Sequence, residues 1–276
     1  MASIGKTNWL PVLRECDFGV LFDGGDLGEI LMPSRYVFND WEPGEIVEVF
    51  LMLDSEDRLT ATTEKPVAMV DEFALLRVVS VTNIGAFLDW GLPKDLFVPF
   101  REQNIKLREG QNALVRIYLD DLSGRIAASC KLDRYLDLTQ PDYAPGEKVK
   151  LQIASRTDLG FKAIINNEHW GVIFHNEVFQ PLERGQKLTG YIKQVRPDGK
   201  IDLSLQKTGA NRFADLADEL LEQLKEQGGF LPINDKTPAE EIYARFGVSK
   251  KAYKRALGAL YKKRLITFEN DGMKLV

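Results

Sequence analysis

The densest chemistry in this 276-residue chain lies near its C-terminus. From Ser249 to Arg264 there are seven basic residues (Lys250, Lys251, Lys254, Arg255, Lys262, Lys263 and Arg264) and no acid. The spacing is helical. Tyr253, Leu257, Leu260 and Tyr261 form an apolar stripe, while Lys250, Lys251, Lys254 and Arg255 cluster within two turns on another side. Such a cluster suits phosphate, and each phosphate contact steepens the salt dependence of binding by roughly one unit in log–log slope. It does not separate RNA from DNA, because phosphate contacts carry no sequence information. The competing account is a solvated face whose last three cations favour the negative end of the helix.

Groups suited to covalent or metal chemistry are sparse. His169 and His175 are six residues apart, read as a turn and the following strand, with no HExxH or CxxC partner. Cys16 and Cys130 are too few for a disulfide framework, and Cys130 reads as a small buried side chain. The GGDLG run at 24–28 lacks the helix and the Lys-Ser/Thr ending of a phosphate loop, and reads as a hairpin turn. Asp120 and Asp121 belong to another turn. No catalytic residue, metal or cofactor is expected. No run of ~18 apolar residues suggests a membrane span. The opening MASIGKTNWLPVL is unlike a signal peptide. With two cysteines, the expected compartment is a reducing cytoplasm.

The net charge of −5 argues at first against a polyanion partner, but it hides a gradient. Residues 1–65 carry a net −8, residues 66–140 −1, and residues 141–209 and 210–276 +2 each. Polyanion binding depends on where positive charge sits, so the first quarter is the least suited to it.

The elements that must position these residues show a repeat of about seventy residues. Gly19, Gly85 and Gly160 open apolar stretches 66 and 75 residues apart, and Gly44, Gly110 and Gly185 follow with the same spacing. Each copy ends in a basic residue and an apolar–polar run: RLTATTEK from Arg58, RIAASCKL from Arg125, KIDLSLQK from Lys200 to Lys207. In the second copy EFALLRVVSVTN, AFLDWG, DLFVPF, NALVRIYL and GRIAASC read as five short strands. Five strands in ~65 residues suit a small closed barrel, the OB-fold solution. The glycine on the second strand marks a sharp bend. After Lys207 the period changes to 3.6: Phe213, Leu216, Ala217, Leu220, Leu221 and Leu224 line a first helix that stops at Gly228-Gly229. A second runs from Thr237-Pro238 to Phe246-Gly247, and Ser249 caps the basic third. LITFEN and GMKLV then form a hairpin through Asn270, Asp271 and Gly272.

The copies resemble S1-type RNA-binding OB-folds, with a G-x-F second strand, a G-[LF]-[VL]-[HP] element and an R-I-x-L-S-x-K terminal strand. The second copy is most similar (Gly85-Ala86-Phe87, Leu96-Phe97-Val98-Pro99, Arg125 to Lys131), and the first is the most degenerate. Three helices followed by a hairpin resemble a winged-helix domain, whose third helix is the recognition helix in nucleic-acid-binding members. The fold expected is therefore multidomain: three all-β S1-type five-stranded OB-fold barrels at 1–66, 67–140 and 141–209, then an α+β winged-helix domain at 210–276. The domain order resembles the bacterial CvfB (conserved virulence factor B, YitL-like) family over nearly the whole chain. That resemblance implies an RNA-binding protein that regulates gene expression, with no catalytic activity.

It also implies site residues. Single-strand-binding barrels stack bases on exposed aromatics and collect phosphates with Lys and Arg, each stacked base being worth ~1–3 kcal/mol. Phe87 and Phe97 fall on the family's stacking positions, with Arg116 and Arg125 on later strands; burial inside the barrel is the competing account for both rings. In the third copy Lys162 occupies the position equivalent to Phe87 and Phe161 stands one residue before it, and alternation lets only one face RNA. HWGVIFHNEV adds Trp170, Phe174 and His175, the last shifted by one from a family histidine, and Lys193 and Arg196 add charge. The first copy has Leu21 where the second has Phe87, so it is expected not to bind RNA, and to brace its neighbour or meet a protein partner instead. The partner expected is single-stranded RNA, held on the second and third barrels with phosphate contacts from Lys250, Lys251, Lys254 and Arg255. The alternatives are a DNA-binding regulator acting through the winged helix, and a protein-interaction scaffold.

Overall fold

The computed structural model describes residues 2–178, 180–206, 211–269 and 271–276, with side chains of the first helix from residue 216 onward. Lys207, the 209/210 boundary, the Phe213 side chain and Asn270 lie outside the described residues. Three closed five-stranded barrels succeed one another. The first comprises β1 (Thr7–Cys16), β2 (Gly19–Asp23), β3 (Glu29–Pro33), β4 (Ile46–Leu53) and β5 (Leu59–Thr62). The second comprises β6 (Phe73–Val81), β7 (Gly85–Asp89), β8 (Leu96–Pro99), β9 (Asn112–Leu119) and β10 (Ile126–Ser129). The third comprises β11 (Lys148–Thr157), β12 (Gly160–Ile165), β13 (His169–Phe174), β14 (Lys187–Val195) and β15 (Ile201–Ser204). Each has the cyclic order first–second–third–fifth–fourth, with the third and fifth strands parallel and the others antiparallel.

The repeat in the sequence is a repeat of close approaches. A Cβ on Gly19, Gly85 or Gly160 would lie 1.9, 2.3 or 2.0 Å from the carbonyl oxygen of Met32, Val98 or Ile173 on the next strand. Glycine is required there because two strands nearly touch, rather than for a bend alone. A register shift recurs in the first strand of each barrel, at Val12/Arg14, Val78/Ser80 and Ile153/Ser155. Such a bulge bends the strand around the barrel.

Barrels one and two share a single apolar core, running from Phe22, Ile30 and Leu51 through Ala68, Val70 and Trp90 to Leu88, Leu96 and Ile117. Trp90 meets Phe50 of the first barrel edge-on, with ring centroids 5.9 Å apart. Polar contacts join the same pair: Asp71 bonds Lys6 and Arg116, each at 2.8 Å, and Thr7 reaches the Met69 sulfur. The chain forms two compact units, Met1–Leu136 and Asp137–Val276.

In the second unit, barrel three has its own core around Ile153, Ile165 and Ile173. The C-terminal region contains α1 (Asn211–Glu226), β16 (Phe230–Leu231), α2 (Ala239–Phe246), α3 (Lys250–Lys262), β17 (Ile266–Phe268) and β18 (Met273–Leu275). Its core draws Leu220 and Leu224 of α1, Ile242 of α2, and Tyr253, Ala256, Leu257 and Leu260 of α3. Ser249 Oγ accepts from Ala252 N at 3.2 Å and caps α3; Gly247, at φ 61°, ends α2 in the left-handed region. The hairpin β17–β18 gains a third strand, β16, giving the order β16–β18–β17. At two residues, β16 is too short to show a period in the sequence. No helix among the described residues is long and apolar enough to cross a membrane.

Candidate nucleic-acid interface

Strand alternation decides which residues each barrel turns outward. On β7, Ala86 and Leu88 are buried while Phe87 is half-buried; on β8, Leu96 and Val98 are buried while Phe97 is half-buried. Phe87 and Phe97 are directly opposite in the ladder, and their ring centroids lie 5.1 Å apart at 38°. Both rings therefore stand on the outer face, not in the barrel core.

They line a cavity of about 720 Å³. Ile84, Trp90 and Tyr118 extend its apolar wall, and Met52 and Leu53 of the first barrel contribute to it. The polar lining includes Lys94, Asp95, Arg101, Asp120, Ser123 and Arg125. Burial, with Asp89 nearby, raises the Asp95 carboxyl above its ordinary pKa. Trp90 Nε1 donates to the Lys94 carbonyl at 2.6 Å, which fixes the indole. Arg125 lies on the lining, ion-paired with Asp57 of barrel one. Its hydrogen bond holds the Asp57 carboxyl below the usual carboxylate range.

Arg116 is placed elsewhere. Its side chain is 12% exposed, lies over the rings of Phe73 (5.0 Å) and Tyr135 (5.4 Å), and bonds Asp71. It braces the barrel joint and is not part of the cavity lining. Tyr118, two residues on along β9, shares its face and does line the cavity. The alternation Arg116–Tyr118 was the sequence signal for that residue. Nothing in the sequence signalled Met52 and Leu53, which the fold brings in from another barrel.

In barrel three the pair of positions held by Phe87 and Phe97 belongs to Lys162 and Val172, which face each other across β12 and β13. The structure separates the two candidates on β12. Phe161 pairs with fully buried Ile173 and packs on the core edge, whereas Lys162 turns outward. Phe161 therefore leaves the outer face. Its ring meets His175 edge-on at 6.1 Å and borders a small cleft with Arg156 and Arg184. Lys162 Nζ sits 3.7 Å over the Trp170 ring, and the Arg196 guanidinium 5.6 Å over Phe174. Trp170, Val172 and Phe174 alternate with buried His169, Gly171 and Ile173, so they share the outer face. The cations there are engaged: Arg196 bonds buried Asp202 at 2.8 Å, and Lys193 bonds Glu177 at 2.7 Å.

His175 is exposed in a short 3-10 turn after β13, and His169 opens that strand, which corrects the turn-then-strand placement. His169 is buried; Tyr143 OH lies 2.9 Å from Nδ1 and the Thr139 carbonyl 3.0 Å from Nε2. A carbonyl only accepts, so Nε2 donates to Thr139, and with the Tyr143 contact at Nδ1 the ring ties the interbarrel segment to the barrel. Among the described residues no group of three or more His, Cys, Asp or Glu side chains is placed to hold a metal ion.

On α3 the basic cluster divides in two. Lys250 Nζ donates to the Lys236 carbonyl at 3.2 Å, and Lys254 lies 3.8 Å from Asp235, so both reach back to the turn before α2. Lys251 and Arg255, one turn apart, are exposed on the side opposite Tyr253, Ala256 and Leu260. Gly258 follows on that side, where a Cβ would meet nothing within 4 Å. Tyr261 and Phe268 add an exposed stacked pair, with centroids 5.5 Å apart, where α3 meets the hairpin. Tyr261, which the helical spacing places on the core stripe, lies at the edge of that stripe and is exposed.

Comparison with known proteins finds family matches over two of these parts. The S1 domain family matches residues 4–64, and the CvfB-like winged helix domain family matches residues 218–275. The S1 match falls on the first barrel, the copy read as most degenerate. Over 274 residues the chain is 28% identical to "Uncharacterized protein YitL" of Bacillus subtilis (strain 168), covering 96% of this chain and 91% of that protein. It is 26% identical to "Conserved virulence factor B" of Staphylococcus epidermidis (strain ATCC 12228 / FDA PCI 1200), covering 86% and 82%. A crystal structure described as a multidomain protein with nucleic acid binding domains, from Streptococcus pneumoniae TIGR4, aligns over 99% of this chain and 98% of that one, with 24% identity and a TM-score of 0.40.

Proposed function

We propose that this chain, a relative of the conserved virulence factor B proteins that carries an S1 domain and a CvfB-like winged-helix domain, is a cytoplasmic RNA-binding regulator of gene expression. The observation that carries the reading is the Phe87–Phe97 pair: two aromatic rings on the outer face of a closed barrel, opening on an apolar cavity with a few polar groups at its edge. Every base has a π-face, so such rings take unpaired bases of any sequence. A duplex keeps its bases stacked on one another and offers the rings little.

Barrel three engages the strand differently. Lys162 over Trp170 and Arg196 over Phe174 present cation-backed rings, which suit the sugar–phosphate path as well as a base. On the winged helix, Lys251 and Arg255 supply phosphate contacts, with Lys250 and Lys254 behind them. At the positions equivalent to Phe87 and Phe97 barrel one carries Leu21 and Leu31, its exposed aromatics Trp9, Phe18 and Phe38 standing elsewhere, and it acts as the brace of barrel two.

The test is a titration of the full chain against a single-stranded RNA and a duplex DNA of equal length at two salt concentrations. Tighter binding of the single strand, with an affinity that falls as salt rises, supports the reading. A preference for the duplex at both salts would assign the function to the winged helix, and no binding at low salt would favour a protein-interaction scaffold.

A further inference from the structure

Every cation on the lining of the 720 Å³ cavity already has a partner. Arg101 lies 3.6 Å from Asp120, and Lys94 Nζ donates to the Asp54 carbonyl at 3.0 Å. Arg125 is answered from outside its own barrel, by Asp57 in the β4–β5 turn of barrel one. That turn is built to hold its shape: the Asp54 carboxylate accepts from the backbone N–H of Glu56 at 2.8 Å and of Arg58 at 3.0 Å. Asp57 itself sits at φ 61°, a conformation that few residues other than Gly, Asn and Asp adopt readily. A preorganised turn thus carries a carboxylate to the guanidinium that borders the Phe87–Phe97 rings.

A phosphate seeking Arg125 must displace that carboxylate, whereas a base seeking the rings need not. We infer that Asp57 is a specificity-determining residue, by which the first barrel makes the second barrel's cavity select nucleobases over bare phosphate. The inference rests on the RNA-binding reading of the Phe87–Phe97 face. It gives the acidic barrel a part in recognition without a binding face of its own. It also accounts for Met52 and Leu53 in the cavity wall: the segment that carries Asp57 also closes the apolar side.

The experiment uses the full chain in four forms: unaltered, Asp57→Asn, Arg125→Gln and the double variant. Asn tolerates the left-handed conformation, and the ion pair is half exposed, so the fold persists. Each form is titrated with a ten-nucleotide single-stranded RNA and with heparin, a polyanion without bases, at two salt concentrations. Asp57→Asn is expected to tighten heparin several-fold and to steepen its salt slope by about one unit. Arg125→Gln alone is expected to change heparin binding little, and in the double variant to abolish the gain. No gain on Asp57→Asn, or a gain that survives in the double variant, overturns the inference. Phe87→Ala is titrated alongside: if it leaves RNA affinity unchanged, the parent reading fails, whatever Asp57 does to heparin.

Discussion

The same two positions in the three barrels hold different pairs. Leu21 faces Leu31 in the first, Phe87 faces Phe97 in the second, and Lys162 faces Val172 in the third. Around them little changes: each barrel keeps the glycine against its neighbour's carbonyl, the bulge in the first strand and the parallel third–fifth pairing. One scaffold therefore presents an aliphatic face, an aromatic face and a cationic face. Fold fixes where these residues stand, and the residues decide what the face does. The barrels also differ in independence, since the first two share a core and the third has its own.

The largest expected effect tests that joint. Trp90→Ala removes a buried indole that meets Phe50 and anchors the Lys94 carbonyl. Truncating a buried aromatic costs about 3–5 kcal/mol. Hydrogen exchange should show lost protection in both the first and second barrels and none in the third. Loss confined to the second barrel would mean that the shared core is not cooperative.

Next in size is Lys251→Glu with Arg255→Glu. If the winged helix adds phosphate contacts to those of the barrels, RNA affinity falls and its salt slope flattens by roughly two units. A weaker affinity with an unchanged slope would point to a helix that only holds the domain together. Gly258→Ala is a smaller probe of the same face. A mid-helix glycine costs about 1 kcal/mol relative to alanine, and the added Cβ meets no neighbour, so the thermal transition of the winged domain should rise. A fall would indicate that the open face is filled by another part of the chain.

The smallest effect concerns acid. Burial alone would raise the Asp71 carboxyl, but its bonds to Lys6 and Arg116 prevail and hold it below the ordinary value of about 3.9. Its contribution to stability is therefore present above pH ~4 and lost as pH falls through the depressed value. Asp71→Asn should cost up to about 1 kcal/mol at pH 7 and leave a shallower loss of stability in acid. An unchanged acid profile would remove this pair from the joint.

The architecture was largely legible because glycine spacing, strand alternation and the shift to a 3.6-residue period are local signals. Phe87 and Phe97 were marked by the resemblance to S1-type barrels, which left a buried and an outward placement both open, whereas the opposed faces of Phe161 and Lys162 followed from alternation. The reach of Arg116 was not legible, since its partners Asp71, Phe73 and Tyr135 lie on other segments. Nor was the division of the α3 cluster, because only the folded turn brings Asp235 and the Lys236 carbonyl to Lys254 and Lys250. The shared core and the Asp57–Arg125 bridge join residues far apart in sequence, whose types alone gave no reason to pair them.

The most direct measurement is the RNA affinity of the full chain carrying Phe87→Ala and Phe97→Ala, taken together with its thermal transition. If the rings hold bases on the outer face, affinity falls by about ten- to hundredfold, as expected when stacking worth ~1–3 kcal/mol per base is lost, while the transition moves little. A lowered transition with undiminished affinity would show that the two rings serve the barrel and not the strand.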